Sequence, residues 1–233
     1  MWIAPLVAVV VAFLFAGMLG RRYVERRRPF ELLWAIALAM YGVASLALLS
    51  GVLGGWSRTT FGIYWALGAV LNVPFLAAGE VVLLVRRPIA TWAVALALVF
   101  CTALTIAVLQ RAAFDPRALA EQLPSGREVL GQHTPAYRLP RLIATPSYLV
   151  LIAGTLWSAA RMRGRPELRD RFVGTLLVAL GATVVAAGAA FSARGMLLGF
   201  AATLVAGIGA MFWGFLRAAR PAAPRPAAVA TAG

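Results

Sequence analysis

The sequence contains no lysine, one histidine and one cysteine. Each scarcity removes a class of chemistry. Without lysine there is no Schiff base to hold retinal. Haem held by two histidines is excluded, because His133 stands alone and falls in a loop. Cys101 has no partner for an intramolecular disulfide and lies inside an apolar run, where a thiol packs as a small hydrophobe. Cys-x-x-Cys, His-Glu-x-x-His and a phosphate-binding glycine loop are missing too. No serine, histidine and acid converge within the apolar segments. No cofactor, no metal and no enzymatic activity are expected.

Charge is scarce as well. Of 233 residues, 13% are charged and 62% are apolar, against about 25% and about 45–50% in soluble domains. A chain this short needs a polar shell in water; lipid as the outer solvent removes that need. The formal charge is nevertheless +14, and all 22 basic residues are arginine. They lie in short clusters between apolar runs, which suits anionic lipid headgroups and not nucleic acid.

What the chain has in abundance is long apolar runs. About 20 helical residues cross the roughly 30 Å hydrocarbon layer. The runs near 2–20, 31–53, 61–85, 89–109, 142–160, 172–191 and 195–216 meet that length and lack period-two alternation. The expected fold class is all-α, a polytopic bundle of seven transmembrane helices in the cell membrane. Residues 2–19 differ from a secretion signal because their arginines follow the apolar segment instead of preceding it. They read as a retained first helix. Helix five is broken at its start by Pro140 and Pro146.

Arginine distribution orients the bundle. With the N-terminus outside, the inner segments 21–30, 86–88, 161–171 and 217–233 hold 15 arginines and the outer side holds 7, the positive-inside pattern. The C-terminus is then cytoplasmic. Trp2, Trp56, Tyr64 and Trp65 fall near the outer interface and Trp34, Trp92, Trp157 and Trp213 near the inner one, where indole rings favour headgroup depth. The long outer loop 110–141 reads as a connector, or as a lid or docking surface. Within it, 116–123 could form a short helix resting Leu119 and Leu123 on the membrane. The tail 217–233, alanine and proline with three arginines, should be disordered. Residues 1–88 and 142–221 share an order of parts, which suggests parallel three-helix repeats around a linker helix, a 3+1+3 arrangement.

The candidate functional residues are few. Asn72 and Pro74 sit near the middle of helix three. The proline removes a backbone hydrogen bond and kinks the helix. The asparagine needs a partner in hydrocarbon. Together they make either a midplane polar site or an interhelical bond fixing a bent helix. Glu80 is the one acid clearly inside a membrane run. It is expected to pair with an inner-loop arginine or to exchange a proton. Glu31 favours the N-terminus of helix two. Gly174, Gly181 and Gly188 form a small-residue face on helix six, and Gly199, Gly207, Gly209 and Gly214 add to it on helix seven. These faces suit tight packing of the two helices, a homo-oligomer or a protein partner.

Four segments carry a resemblance: Arg-Arg-Arg-Pro-Phe-Glu-Leu-Leu-Trp at 26–34, Tyr64-Trp65-Ala-Leu-Gly68, Leu-Pro-Ser-Gly-Arg-Glu-Val-Leu-Gly at 123–131, and Gly154-Thr155-Leu-Trp157-Ser158-Ala159. In these the chain resembles a set of small actinobacterial-type seven-helix membrane proteins. The resemblance implies the helix count and no activity or site residue. Two functions remain: a small-molecule carrier or carrier subunit, and a non-transporting module such as a sensor, assembly factor or partner subunit.

Overall fold

The computed structural model describes residues 3–85, 87–192 and 194–218. Trp2, Arg86, Ala193 and the tail beyond Ala218 lie outside the described residues. So do the disorder expected of that tail and the repeat's closing Arg220–Pro221. Within the described residues the chain is all-α, with seven helices long and apolar enough to span a membrane. It is a multi-pass integral membrane protein.

The first span is Ile3–Arg26 and the second Pro29–Gly54. Pro29 sits in the first turn after an extended Arg28, where its missing N–H costs nothing. Gly55, at φ 84°, ends the second span in a conformation only glycine adopts freely. Ser57 caps the third span by accepting from Thr60 N at 3.1 Å. The fourth is Pro88–Arg111, again opened by proline after an extended arginine. The sixth and seventh are Arg169–Ser192 and Leu197–Ala218.

The third and fifth spans are composite. The third runs as α-helix Arg58–Ile63, π-helix Tyr64–Leu71 and α-helix Asn72–Leu84. The fifth runs as Pro135–Leu139, π-helix Pro140–Ala144 and α-helix Thr145–Met162. One cause explains both. A proline collides with the carbonyl four residues before it and gives that carbonyl no donor. For Pro74 that residue is Val70; for Pro146 it is Leu142. Both lie in the π segments, whose wider turns make room. Helix five therefore begins earlier than 142, because its prolines widen the coil and do not end it.

Spans one, two, three, five, six and seven pack in that order, and seven returns to one, closing a ring. The fourth lies outside against the third, most of its apolar side chains exposed. Side chains cross the ring. Tyr41 donates to Leu204 O at 3.0 Å. Tyr64 meets Phe200 across it with centroids at 6.4 Å, and Phe15 seals the neighbouring first and seventh spans against Phe212 and Phe215 at 5.4 and 4.9 Å. The two interrupted spans, third and fifth, are not counterparts in a 3+1+3 scheme, which pairs one with five and three with seven.

The loop after the fourth span is a folded cap. Leu123 is 3% exposed, and Ala118, Val129, Leu130 and Ala136 are buried with it. The segment 116–123 forms only a single 3-10 turn, Ala118–Ala120. Leu123 points into protein and not onto the membrane, which corrects the expected surface helix.

Candidate functional site

The Trp56 and Trp65 indoles, expected near the outer interface, bond to protein. Trp56 Nε1 donates to Gln122 O and Trp65 Nε1 to Ala136 O, each at 3.1 Å. Gln122 belongs to the cap and Ala136 to the first turn of the fifth span, so Trp56 fastens the cap and Trp65 ties the third span to the start of the fifth. Phe61, fully buried, stacks on Trp65 at 5.9 Å, and Trp65 stacks on Tyr137 at 6.3 Å. Gly126 lies flat against the Trp65 ring, with no room for a Cβ. Arg58 reaches Gln110 O at 3.1 Å and covers the Phe114 ring at 5.1 Å. At the opposite, arginine-rich end, Trp92, Trp157 and Trp213 are exposed, as interface residues should be.

Trp34, at that same end, turns inward. Its Nε1 donates to Leu76 O at 3.0 Å, and its ring lies against Gly79, where a side chain would collide. This locks the second span to the third below the π segment. Asn72, 6% exposed, makes a second bond between the same spans: Nδ2 donates to Ala37 O at 2.7 Å. Pro74 is buried two residues on. Asn72 thus faces the second span, and its amide bridges the two helices.

Glu80 stands two turns nearer the arginine-rich end. It is 5% exposed and forms no hydrogen bond or ion pair among the described residues. Arg87 is exposed and unpaired within that set, and Arg86 lies outside it. The carboxylate stem packs on the fifth span: a Cβ on Gly154 would lie 2.7 Å from Glu80 Cγ and 3.3 Å from its Oε1. Gly154 is therefore what lets a carboxylate fit between these helices. Glu31 is a second buried acid, 3% exposed, with an Oε2 that has no partner among the described residues. Its place in the first turn of span two agrees with a helix-terminal role, but its burial was not expected.

Above Glu80 the two π segments touch each other. The contact is apolar. Val70, Leu71, Leu139 and Ile143 are buried together, with Cys101, Leu104 and Val108 of the fourth span against them. The structure thus joins Glu80 to Gly154, Asn72 to the second span, and the two broken helices to each other. It does not bring Asn72 and Glu80 to a common ligand. The hydroxyls of Thr102, Thr105 and Thr155 bond back to carbonyls of their own helices at 2.8, 2.7 and 2.6 Å, the usual habit in membrane helices.

The glycine faces of the last two spans meet one another. Gly174 lies against Gly214, and Gly181 against Gly207, with each backbone carbonyl next to the opposing glycine. A partner docking through that stripe would have to displace an intramolecular contact. Gly209 is the seventh-span glycine with open space beside it. No grouping of histidine, cysteine and acids able to hold a metal occurs among the described residues.

Sequence reasoning missed the Trp34–Gly79, Trp65–Gly126 and Glu80–Gly154 contacts. Each pairs a large or charged side chain with a glycine far away in sequence, and only the fold joins them. Comparison with protein-family models, curated proteins and solved structures gave no match.

Proposed function

We propose that the protein is a small-molecule carrier, or the membrane subunit of one, with Glu80 as its coupling group. The observation that supports this is a buried acid without a partner among the described residues, set between two spans that both break into π-helix. Ionisable groups inside membranes mark ion and proton pathways. Interrupted helices supply the bending that alternating access requires. On this reading the apolar contact between the π segments is the hinge, and Glu80 exchanges its proton or cation as the halves below it part. Catalysis forms no part of the proposal. The topology we assign is N-terminus outside and C-terminus cytoplasmic, in the plasma membrane, as arginine counting suggests. Reporter fusions that place residues 161–171 outside the cell would reverse it. We also group the chain with the actinobacterial-type proteins that it resembles. The four segments carrying that resemblance hold, in turn, Trp34, Trp65, Gly126 and Gly154.

The substrate-free test is accessibility. In a Cys101→Ser background, Glu80→Cys in intact vesicles should react with a membrane-impermeant methanethiosulfonate reagent. An unreactive thiol, with a cap cysteine labelled as control, would sink the carrier reading. Solid-supported membrane recordings over a panel of small solutes then read the transport itself. Glu80→Gln should lose the coupled current.

The folded cap favours a second reading, a non-transporting module that presents a surface to a protein partner. Cross-linking through the cap should then capture a defined neighbour. Recovery of the chain only as a bare monomer from mild detergent counts against it.

A further inference from the structure

At the arginine-rich end, the turn joining the fifth and sixth spans encloses a shallow cavity of about 280 Å³. It is lined by Met162, Gly164, Arg165, Pro166, Arg169 and Phe172. The composition of this lining is amphipathic. Met162 and Phe172 are half-buried and apolar, whereas Arg165 and Arg169 are exposed. Neither arginine forms an ion pair among the described residues. The nearby acids leave them free: Asp170 accepts from Arg217 Nε at 2.9 Å, and Glu167 is exposed and outside the lining. Gly164, at φ 79°, makes the turn that opens the cavity.

The depth of this cavity is fixed by what flanks it. Trp157 lies five residues before Met162, roughly 7 Å deeper along the helix. Its ring is exposed and covered by the Arg161 guanidinium at 4.9 Å. An exposed indole under an arginine belongs at the boundary of hydrocarbon and headgroups. The cavity therefore opens at phosphate level, between two spans whose outer surfaces are apolar.

We propose that this cavity is a discrete binding site for an anionic membrane phospholipid. The phosphate sits between Arg165 and Arg169, and the glycerol and first acyl carbons lie on Met162 and Phe172. The apolar floor selects a lipid over a free phosphate, which would leave it uncovered. The site is independent of the carrier reading and goes beyond a general attraction of basic loops to a charged surface, since it predicts one retained lipid per chain.

Native mass spectrometry of the full chain in detergent tests this, with phosphatidylglycerol and phosphatidylcholine offered in equal amounts. The wild type should retain one phosphatidylglycerol in preference to phosphatidylcholine. Each arginine near an anionic surface contributes about fivefold, so R165Q/R169Q should weaken phosphatidylglycerol binding about 30-fold and erase the preference. The exposed pair R117Q/R127Q at the opposite end should leave it unchanged. If the double variant does not fold, R165Q alone carries the test, with about fivefold loss. The proposal is overturned if the arginine variant keeps its preference or if R117Q/R127Q loses as much. Displacement of the lipid by millimolar inorganic phosphate would also overturn it, since the occupant would then be a soluble anion.

Discussion

Adding one methyl group at two glycines of the last hairpin should move stability in opposite directions. A Cβ on Gly181 would lie 2.5 Å from the Gly207 carbonyl oxygen and 2.9 Å from Met211 N. A carbon normally approaches such an oxygen to about 3.3–3.6 Å, so the two backbones must separate by about 1 Å. A gap of that size forfeits up to about half of each atom pair's attraction. Over about 20 pairs at about 0.15 kcal/mol each, that is about 1.5 kcal/mol. The cost rises to about 2 kcal/mol with the strain of overpacking against backbone. Alanine returns about 1 kcal/mol of helix propensity, so Gly181→Ala should destabilise by about 1 kcal/mol. A Cβ on Gly209 meets nothing within 4 Å. Gly209→Ala keeps only the propensity gain, about 1 kcal/mol of stabilisation. The two variants should differ by about 2 kcal/mol, or about 30-fold in the unfolding equilibrium. Titration with sodium dodecyl sulfate in mixed micelles, followed by tryptophan fluorescence, measures this. If both variants shift in the same direction by the same amount, the glycine-to-glycine packing of spans six and seven is wrong.

Two further outcomes follow from the interior. Asn72→Ala removes the bond to Ala37 O but leaves that carbonyl in its own helical ladder. The loss should be about 0.6–1.7 kcal/mol in the same titration, and a loss above about 3 kcal/mol would mean that Asn72 holds more than the second span. Gly126→Val should push the Trp65 ring aside, break its bond to Ala136 O and loosen the cap. Trypsin should then cut at Arg117 and Arg127 faster than in the wild type, and equal rates would refute the account.

The spans were legible because lipid imposes length and polarity on each run separately, with no knowledge of neighbours. Their ends were less so. The first helix continues to Arg26, well past residue 20, because long arginine side chains reach water from within a helix. Prolines signal breaks, which puts the expected start of helix five at 142, and the π turn that absorbs Pro146 has no composition of its own. The cap was hidden for another reason. Its helix Gly126–Leu130, and the helix Pro135–Leu139 that leads from it into the fifth span, are too short to show apolar periodicity. One signal was present: the Ser-x-x-Glu spacing of Ser125 and Glu128 marks a helix N-terminus, and Ser125 Oγ caps it by accepting from Glu128 N at 3.3 Å while donating to Glu128 Oε2 at 3.0 Å. Asn72 and Glu80 were found by polarity alone. Their partners were not, since a carbonyl at Ala37 and a glycine at 154 carry no mark in the sequence.

Tyr41, Phe15 and Tyr64 all find partners on the seventh span, which leaves the ribosome after the other six. Its contacts with the sixth span close over a short stretch of chain, at small entropic cost. Those with the first three spans bridge most of the polypeptide. During synthesis the early helices must wait in the bilayer with their tyrosine and phenylalanine sockets unfilled, and the final hairpin completes them in one docking event. A ribosome stalled before residue 197 would leave an open crescent of helices.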